Sequence, residues 1–311
     1  MYILYRMTNK ILTDALREKR PNLKDSSIST YGTLLKTLHQ EVYGDSEPID
    51  LDNFRNVDKI QTFFEGRTPT ASKTTLSALV VLTDDDDYRT MMMEQIKAHT
   101  NTINKQEKSD KQEAAWVSSD VIHNKFQDMI KPVDALFKKA KNEPLSLTDL
   151  QRVQQLVILA VIGGIFIPPR RAMDYTQMIN PTFKDYTTDK DDDNFVSGSN
   201  LVFNKYKTSK YYGTQTVKMD KKLKGIITRW AKVNPYKWLF FAADGKQLNS
   251  ITFGQRINKM FGNKNIGVNG MRHTYLTDKF GDMSKKQREL DADMTDMGSS
   301  TKQSKTYIKL D

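Results

Sequence analysis

LVILAVIGGIFIPPRRAMDY (156–175) is the stretch from which the second half of this 311-residue chain is organised. From 156 to 167 it is an unbroken apolar run that includes Gly163 and Gly164. A membrane helix needs about 20 apolar residues, so this shorter run predicts a helix buried in a protein core. Ser146 or Thr148 is placed to cap it, the apolar pattern predicts it through 150–165, and Pro168 with Pro169 ends it. Arg170 and Arg171 come directly after the prolines, and Asp174 lies three residues beyond Arg171. An arginine held where a buried helix ends is preorganised for a phosphate, which a guanidinium grips bidentately, and a carboxylate one turn on orients it. Adjacent helical side chains diverge, so Arg171 is the first choice to pair with Asp174, and its competitor Arg170 is expected to face another way. Taken alone, the pattern also describes an ordinary surface ion pair.

Upstream, Ile28, Tyr31, Leu34, Leu35, Leu38 and Val42 recur at helical spacing, with Asp25, Ser26 or Ser27 available as N-cap and Gly44 just beyond. Residues 56–64, 72–82 and 88–103 read as further helices, separated by turn signals at Gly66, Pro69 and the aspartates at 84–87. Four consecutive aspartates do not converge on one ion, so that run reads as a solvated connection rather than a metal site. Between 104 and 114 the chain turns polar with no apolar stripe, which places a domain boundary near 110. The fold expected is therefore mainly α with a small antiparallel β-sheet: an all-helical domain over 1–110 and a mixed α+β domain over 111–311. The N-terminal MYILYRMTNK turns polar too soon for a secretory signal.

The charge is uneven. The net charge is +10, and residues 201–264 carry 14 Lys or Arg against only Asp220 and Asp244. Such a segment gathers polyanions by counterion release, which points to nucleic acid, although a lysine-rich solvated face accounts equally well for charge alone. The chain has no cysteine, which excludes disulfides and thiolate metal sites and gives no sign of an oxidising compartment.

Three further clusters follow in order. NLVFNKYKTSK (200–210) and YYGTQTVKM (211–219) have β-rich composition, and a turn between them predicts a hairpin. Lys207 is expected on a strand of that hairpin, from which it reaches into a groove. Lys205 and Lys210 are close enough to be confused with it, and any of the three serves equally as a plain phosphate contact. Helices are expected over 222–231, 253–261 and 272–280, with a turn at Asp244-Gly245. In NGMRHTYLT (269–277), Arg272 and His273 open the last of these helices, where a guanidinium and an imidazole reach one anion. In SKTY (304–307), Tyr307 is flanked by polar residues, unlike a core tyrosine.

Taken together, these segments resemble the tyrosine recombinase (integrase) family from about residue 120 onward. In that family an arginine precedes an acidic residue by three positions, which Arg171 and Asp174 match. A lysine lies in a β-hairpin, matched best by Lys207. The His-x-x-Arg-His segment appears here as Asn269-Gly270-Met271-Arg272-His273, the Leu-Gly-His/Trp segment as Met297-Gly298-Ser299, and the nucleophile as Tyr307. The helical N-terminal region resembles the family's core-binding domain, half of a clamp on DNA. Two departures stand out. Asn269 cannot become cationic as a histidine does, and Ser299 keeps a donor but loses the reach of an aromatic ring.

The resemblance implies metal-independent DNA strand cleavage and rejoining with no cofactor. Tyr307 attacks a phosphodiester, Arg171 and Arg272 stabilise the phosphorane, and Lys207 protonates the 5'-oxygen. His273, Asn269 and Ser299 assist, and Asp174 orients. Arg170, Lys205, Lys210, Lys302 and Lys305 are expected as further DNA contacts. The expected partners are double-stranded DNA and other copies of the chain, as a tetrameric synapse on DNA, with no membrane. The expected location is intracellular, wherever the DNA is: a nucleus, a viral factory or a prokaryotic cytoplasm. The alternatives are a type IB topoisomerase, whose SK-x-x-Y motif Ser304, Lys305 and Tyr307 echo loosely, and a catalytically silent DNA-binding homologue.

Overall fold

The computed structural model describes residues 2–183 and 192–296. The chain divides into two compact units, Met1–Glu107 and Lys108–Asp311. The first unit is helical: α1 (Tyr2–Lys19), α2 (Asp25–Tyr43), α3 (Val57–Gln61), α4 (Pro69–Thr83) and α5 (Asp86–Asn104), with short 3-10 turns at Leu51–Arg55 and Thr62–Phe64. Leu12, Leu16, Leu35, Leu38, Phe54 and Leu79 are fully buried in its core, where the Tyr88 hydroxyl donates to the Phe54 carbonyl oxygen at 2.9 Å. The aspartate run is divided between two helix ends. Asp84 ends α4 in the left-handed conformation, the Asp85 side chain caps α5, and Arg89 bridges Asp84 and Asp86.

The second unit begins with α6 (Asp110–Ala114), which a capping box between Ser109 and Gln112 starts inside the polar segment. It continues with α7 (Ser119–Lys139) and α8 (Leu147–Ile162), whose N-caps are Ser118 and Ser146. The apolar run is indeed a core helix, with Val157, Ile158, Leu159, Ala160, Val161 and Ile162 all fully buried. The prolines do not end it. The helix stops at Gly163-Gly164, and Gly164 takes φ +71, a left-handed turn that L side chains resist.

After α9 (Ala172–Thr176) comes a four-stranded sheet in the order β1 (Met178–Ile179), β2 (Asn194–Ser197), β3 (Asn200–Phe203) and β4 (Gln215–Lys218). The antiparallel sheet expected from the sequence is in fact mixed, because β1 runs parallel to β2, pairing Met178 with Asn194. The β2–β3 and β3–β4 pairs are antiparallel. The rest is α10 (Ser209–Tyr212), α11 (Lys221–Val233), α12 (Ser250–Met260) and α13 (Val268–Asp296). Within the described residues α13 runs far beyond the 272–280 expected.

One aromatic cluster positions the functional segment. Tyr175 on α9 is fully buried. Its hydroxyl donates to the Val161 carbonyl oxygen of α8 at 2.9 Å, and its ring stacks on Phe253 of α12 and meets Phe203 and Phe240 edge-on. Such edge and stacked pairs add roughly 0.5–1.5 kcal/mol each beyond their buried area. That packing holds the chain around 170–174 against a rigid base.

Candidate functional site

Neither Arg170 nor Arg171 is helical. Arg171 is the N-cap residue of α9 with extended backbone (φ −71, ψ 152), so the arginine pair precedes the first helical turn. Helical divergence does not apply there, and Arg170 is the residue that turns back onto Asp174, with Nε 2.9 Å from Oδ2. Its Nη1 donates to Gln215 Oε1 on β4 at 2.7 Å, and its guanidinium lies 4.2 Å from the Phe203 ring centroid and 5.0 Å from that of Tyr206. The expectation that Arg171 pairs with Asp174 while Arg170 faces away is thus reversed. Arg170 is spent on holding the fold, and Arg171 is released.

The Asp174 side chain is 3% exposed, and its Oδ1 has no hydrogen-bond partner. Burial pushes its carboxyl above the usual carboxylate range. Arg170 pulls it down, and the charges of Arg171 and Arg272 do so more weakly. Arg272 therefore stands within the field of the same carboxylate, although it comes from α13. Among the described residues, neither Arg171 nor Arg272 makes a hydrogen bond or ion pair with its side chain. Arg170 pairs with this carboxylate, while the positive charges of Arg171 and Arg272 act on it without a bond to it. Such a pair suits the nonbridging oxygens of a phosphate diester, and Asp174 orients without neutralising it.

Lys207 is exposed and lies not on a strand but in the turn between β3 and β4, beyond Phe203, where the ladder ends. Lys205 beside it is bound to Asp192, 2.6 Å from Oδ2. Lys210 is exposed on α10. The connection is tied to the arginine cluster, since Tyr206 lies under Arg170 and Gln215 opens β4. Asn194 reinforces its base: the side chain donates to the carbonyl oxygens of Asp174 and Lys205 and accepts from the backbone N–H groups of Asn204 and Lys205. Sequence reasoning missed Gln215 and Asn194. Their partners are distant in the chain, so no local pattern marks them.

The N-terminal turns of α13 are fixed by buried Met271, by the Thr274 hydroxyl donating to the Val117 carbonyl oxygen at 2.8 Å, and by Tyr275 against Gly164. The candidates on this helix do not all line one cleft. Asn269 and His273 are exposed and line a cleft of about 270 Å³ with Ser109, Gln112 and Trp116, and Arg272 is not among its lining residues. Position 269 and position 273 are one turn apart and share a face, whereas 272 is rotated from 273 by roughly 100°.

A fourth arginine was not foreseen. Arg256 on α12 has a buried Nη1 without a partner, and burial lowers its pKa. Its spacing from Phe253, Ile257 and Met260 places it beside the buried stripe of that helix, which was the available signal. Tyr307, Ser299, Lys302 and Lys305 lie outside the described residues. Among the described residues no group of three or more His, Asp or Glu side chains is placed to hold a metal ion, and no helix is long and apolar enough to cross a membrane. No family model, curated protein or solved structure matches this chain.

Proposed function

We propose that this protein is a site-specific DNA recombinase or integrase of the tyrosine recombinase type, cleaving and rejoining strands through a 3'-phosphotyrosyl link to Tyr307. One observation supports this above the others. Arg171 and Arg272, from separate segments of the second unit, both stand in the field of buried Asp174 and keep their guanidiniums unspent. Two guanidiniums with no bond of their own, carried on anchored segments of the chain, suit a transferring phosphoryl group, because its negative charge grows on oxygens that cations stabilise.

In this reading the Tyr307 hydroxyl gives up its proton to His273 or to water, its oxygen attacks phosphorus, the bond to the 5'-oxygen breaks, and Lys207 donates the proton that the 5'-hydroxyl keeps. Arg171 and Arg272 hold the nonbridging oxygens. The broken bond's energy stays in the phosphotyrosine, so a 5'-hydroxyl from another duplex reverses the attack and recombines the strands. Several copies of the chain then assemble on DNA.

A second reading, a DNA-binding homologue without catalysis, is favoured by the cleft that Asn269 and His273 line, because Arg272 is not among its lining residues. A nicked suicide duplex, from which the cleaved fragment diffuses away, separates the two. The recombinase reading expects a denaturation-resistant protein–DNA adduct with the wild type and none with Tyr307→Phe, Arg171→Ala or Arg272→Ala. Salt-sensitive binding with no adduct from any of the four proteins favours the silent homologue. Relaxation of supercoiled DNA by a monomer, without site preference, turns the assignment to a topoisomerase.

A further inference from the structure

The connection from β3 to β4, KYKTSKYYG (205–213), carries more than a lysine. Tyr206 turns inward and is 6% exposed, whereas Tyr211 is 86% and Tyr212 68% exposed. Among the described residues neither exposed ring makes a side-chain hydrogen bond or a ring contact. Scattered surface aromatics are ordinary, but two adjacent tyrosines this open on a braced tip are not accounted for by packing.

The tip is built to hold its shape. The Tyr206 hydroxyl donates to the Gly213 carbonyl oxygen at 2.8 Å, the Gly213 N–H closes onto the Ser209 carbonyl oxygen at 2.8 Å, and the Thr214 hydroxyl donates to Asn204 Oδ1 at 2.7 Å. Gly213 at φ +62 makes the return. The surroundings select the partner. Residues 201–219 contain Lys205, Lys207, Lys210 and Lys218 and no acidic residue, and Lys207 and Lys210 are exposed beside the two rings. Exposed aromatic faces interleaved with lysines fit a polyanion that itself presents flat apolar faces, namely stacked nucleic acid.

We propose that Tyr211 and Tyr212 form a base-stacking wedge, which enters the duplex beside the phosphate held by Arg171 and Arg272 and opens a base step there. The proposal rests on the DNA reading above and extends it. The anchorage of Tyr206 and Gln215 on Arg170 sets the distance between wedge and phosphate. Adjacent residues on the short α10 diverge, so one ring enters the step while the other lies along the groove wall.

The test uses the full chain and a short DNA duplex with 2-aminopurine at the adenines of one strand, whose fluorescence rises when bases unstack. The wild type and Tyr211→Phe/Tyr212→Phe are expected to raise the signal. Tyr211→Ala/Tyr212→Ala is expected to abolish it and to weaken binding about tenfold, by the same factor at every salt concentration, since stacking releases no counterions. Thermal unfolding of the alanine pair is expected to match the wild type. Lys207→Ala/Lys210→Ala is expected to flatten the salt dependence yet restore the full signal once the DNA is saturated. If the alanine pair binds and unstacks like the wild type while the lysine variant is weakened, the wedge is wrong and the DNA reading stands. If the wild type binds no duplex, both fall.

Discussion

Asp174 and the two arginines before it divide the structural and chemical tasks between adjacent positions. The Arg170 side chain is 17% exposed and is engaged by Asp174, Gln215 and two rings, whereas Arg171 has no bonded partner among the described residues. Arg170→Ala strands a buried carboxylate, a change that typically removes about 3–5 kcal/mol of stability. Arg171→Ala is expected to leave stability within about 0.5 kcal/mol while abolishing the covalent adduct. Urea denaturation of both variants checks the pair, and equal losses would refute the division. Asp174 adds a pH signature. Its folded-state pKa is raised, so the native state holds this proton to higher pH than the unfolded chain does. Its stabilising contribution is then complete below the ordinary carboxylate value and is lost as pH rises toward the raised one. Subtracting the melting curves of Asp174→Asn from those of the wild type across the acid range should show that decline, and a difference that grows with pH would contradict it. The cluster was partly legible in PPRRAMDY, whose spacing puts an arginine within reach of a carboxylate, although the helix before it ends earlier, at Gly163. Which arginine does so depended on backbone that turns out extended at Arg171, and spacing rules for helices do not reach that case.

At the scale of elements, the junction between α8 and α13 controls where Arg272 sits. A Cβ on Gly164 would lie 2.6 Å from Tyr275 Cδ2, and the residue holds φ +71. Gly164→Ala is expected to lose about 1–3 kcal/mol from backbone strain, with the clash in addition, and to reduce adduct formation by displacing α13. In a Tyr275→Ala background the same glycine change should cost less, because the strain remains and the clash is gone; an equal cost in both backgrounds would show that Tyr275 is not the neighbour that matters. α2 and α4 were legible because burial repeats along one face, and α8 because its apolar run is long; Thr68 and Ser146 cap α4 and α8, whereas α2 starts after Lys24 with no side-chain cap, so Asp25, Ser26 and Ser27 do not cap it as expected. The sequence offers two stops for α8, the prolines and the glycine pair five residues earlier, and the left-handed turn at Gly164 acts first. β2 was not legible. It falls at the edge of a polar, aspartate-rich stretch, and its central feature, fully buried Asn194, is a polar side chain satisfied by four backbone groups rather than an apolar alternation.

For the whole molecule, charge is the property that sequence and structure describe together. The excess of cations over 201–264 lies in the second unit, the same unit that holds the arginine cluster and the β3–β4 tip. If that surface binds DNA, each lysine that displaces a condensed counterion contributes to the slope of log affinity against log salt. The structure separates lysines that composition treats as equal. Lys207 and Lys210 are exposed in the connection, whereas Lys205 already holds Asp192 at 2.6 Å. Lys207→Ala and Lys210→Ala are each expected to reduce the slope by about 1. Lys205→Ala should reduce it by clearly less, because Asp192 already neutralises that ammonium and removing the lysine frees a carboxylate at the same place. Measuring affinity for one duplex at several salt concentrations with the three single variants tests this ordering. Equal reductions would mean that the Lys205–Asp192 pair opens on DNA, and a slope unchanged by any of the three would mean that the polyanion lies on another part of the basic segment.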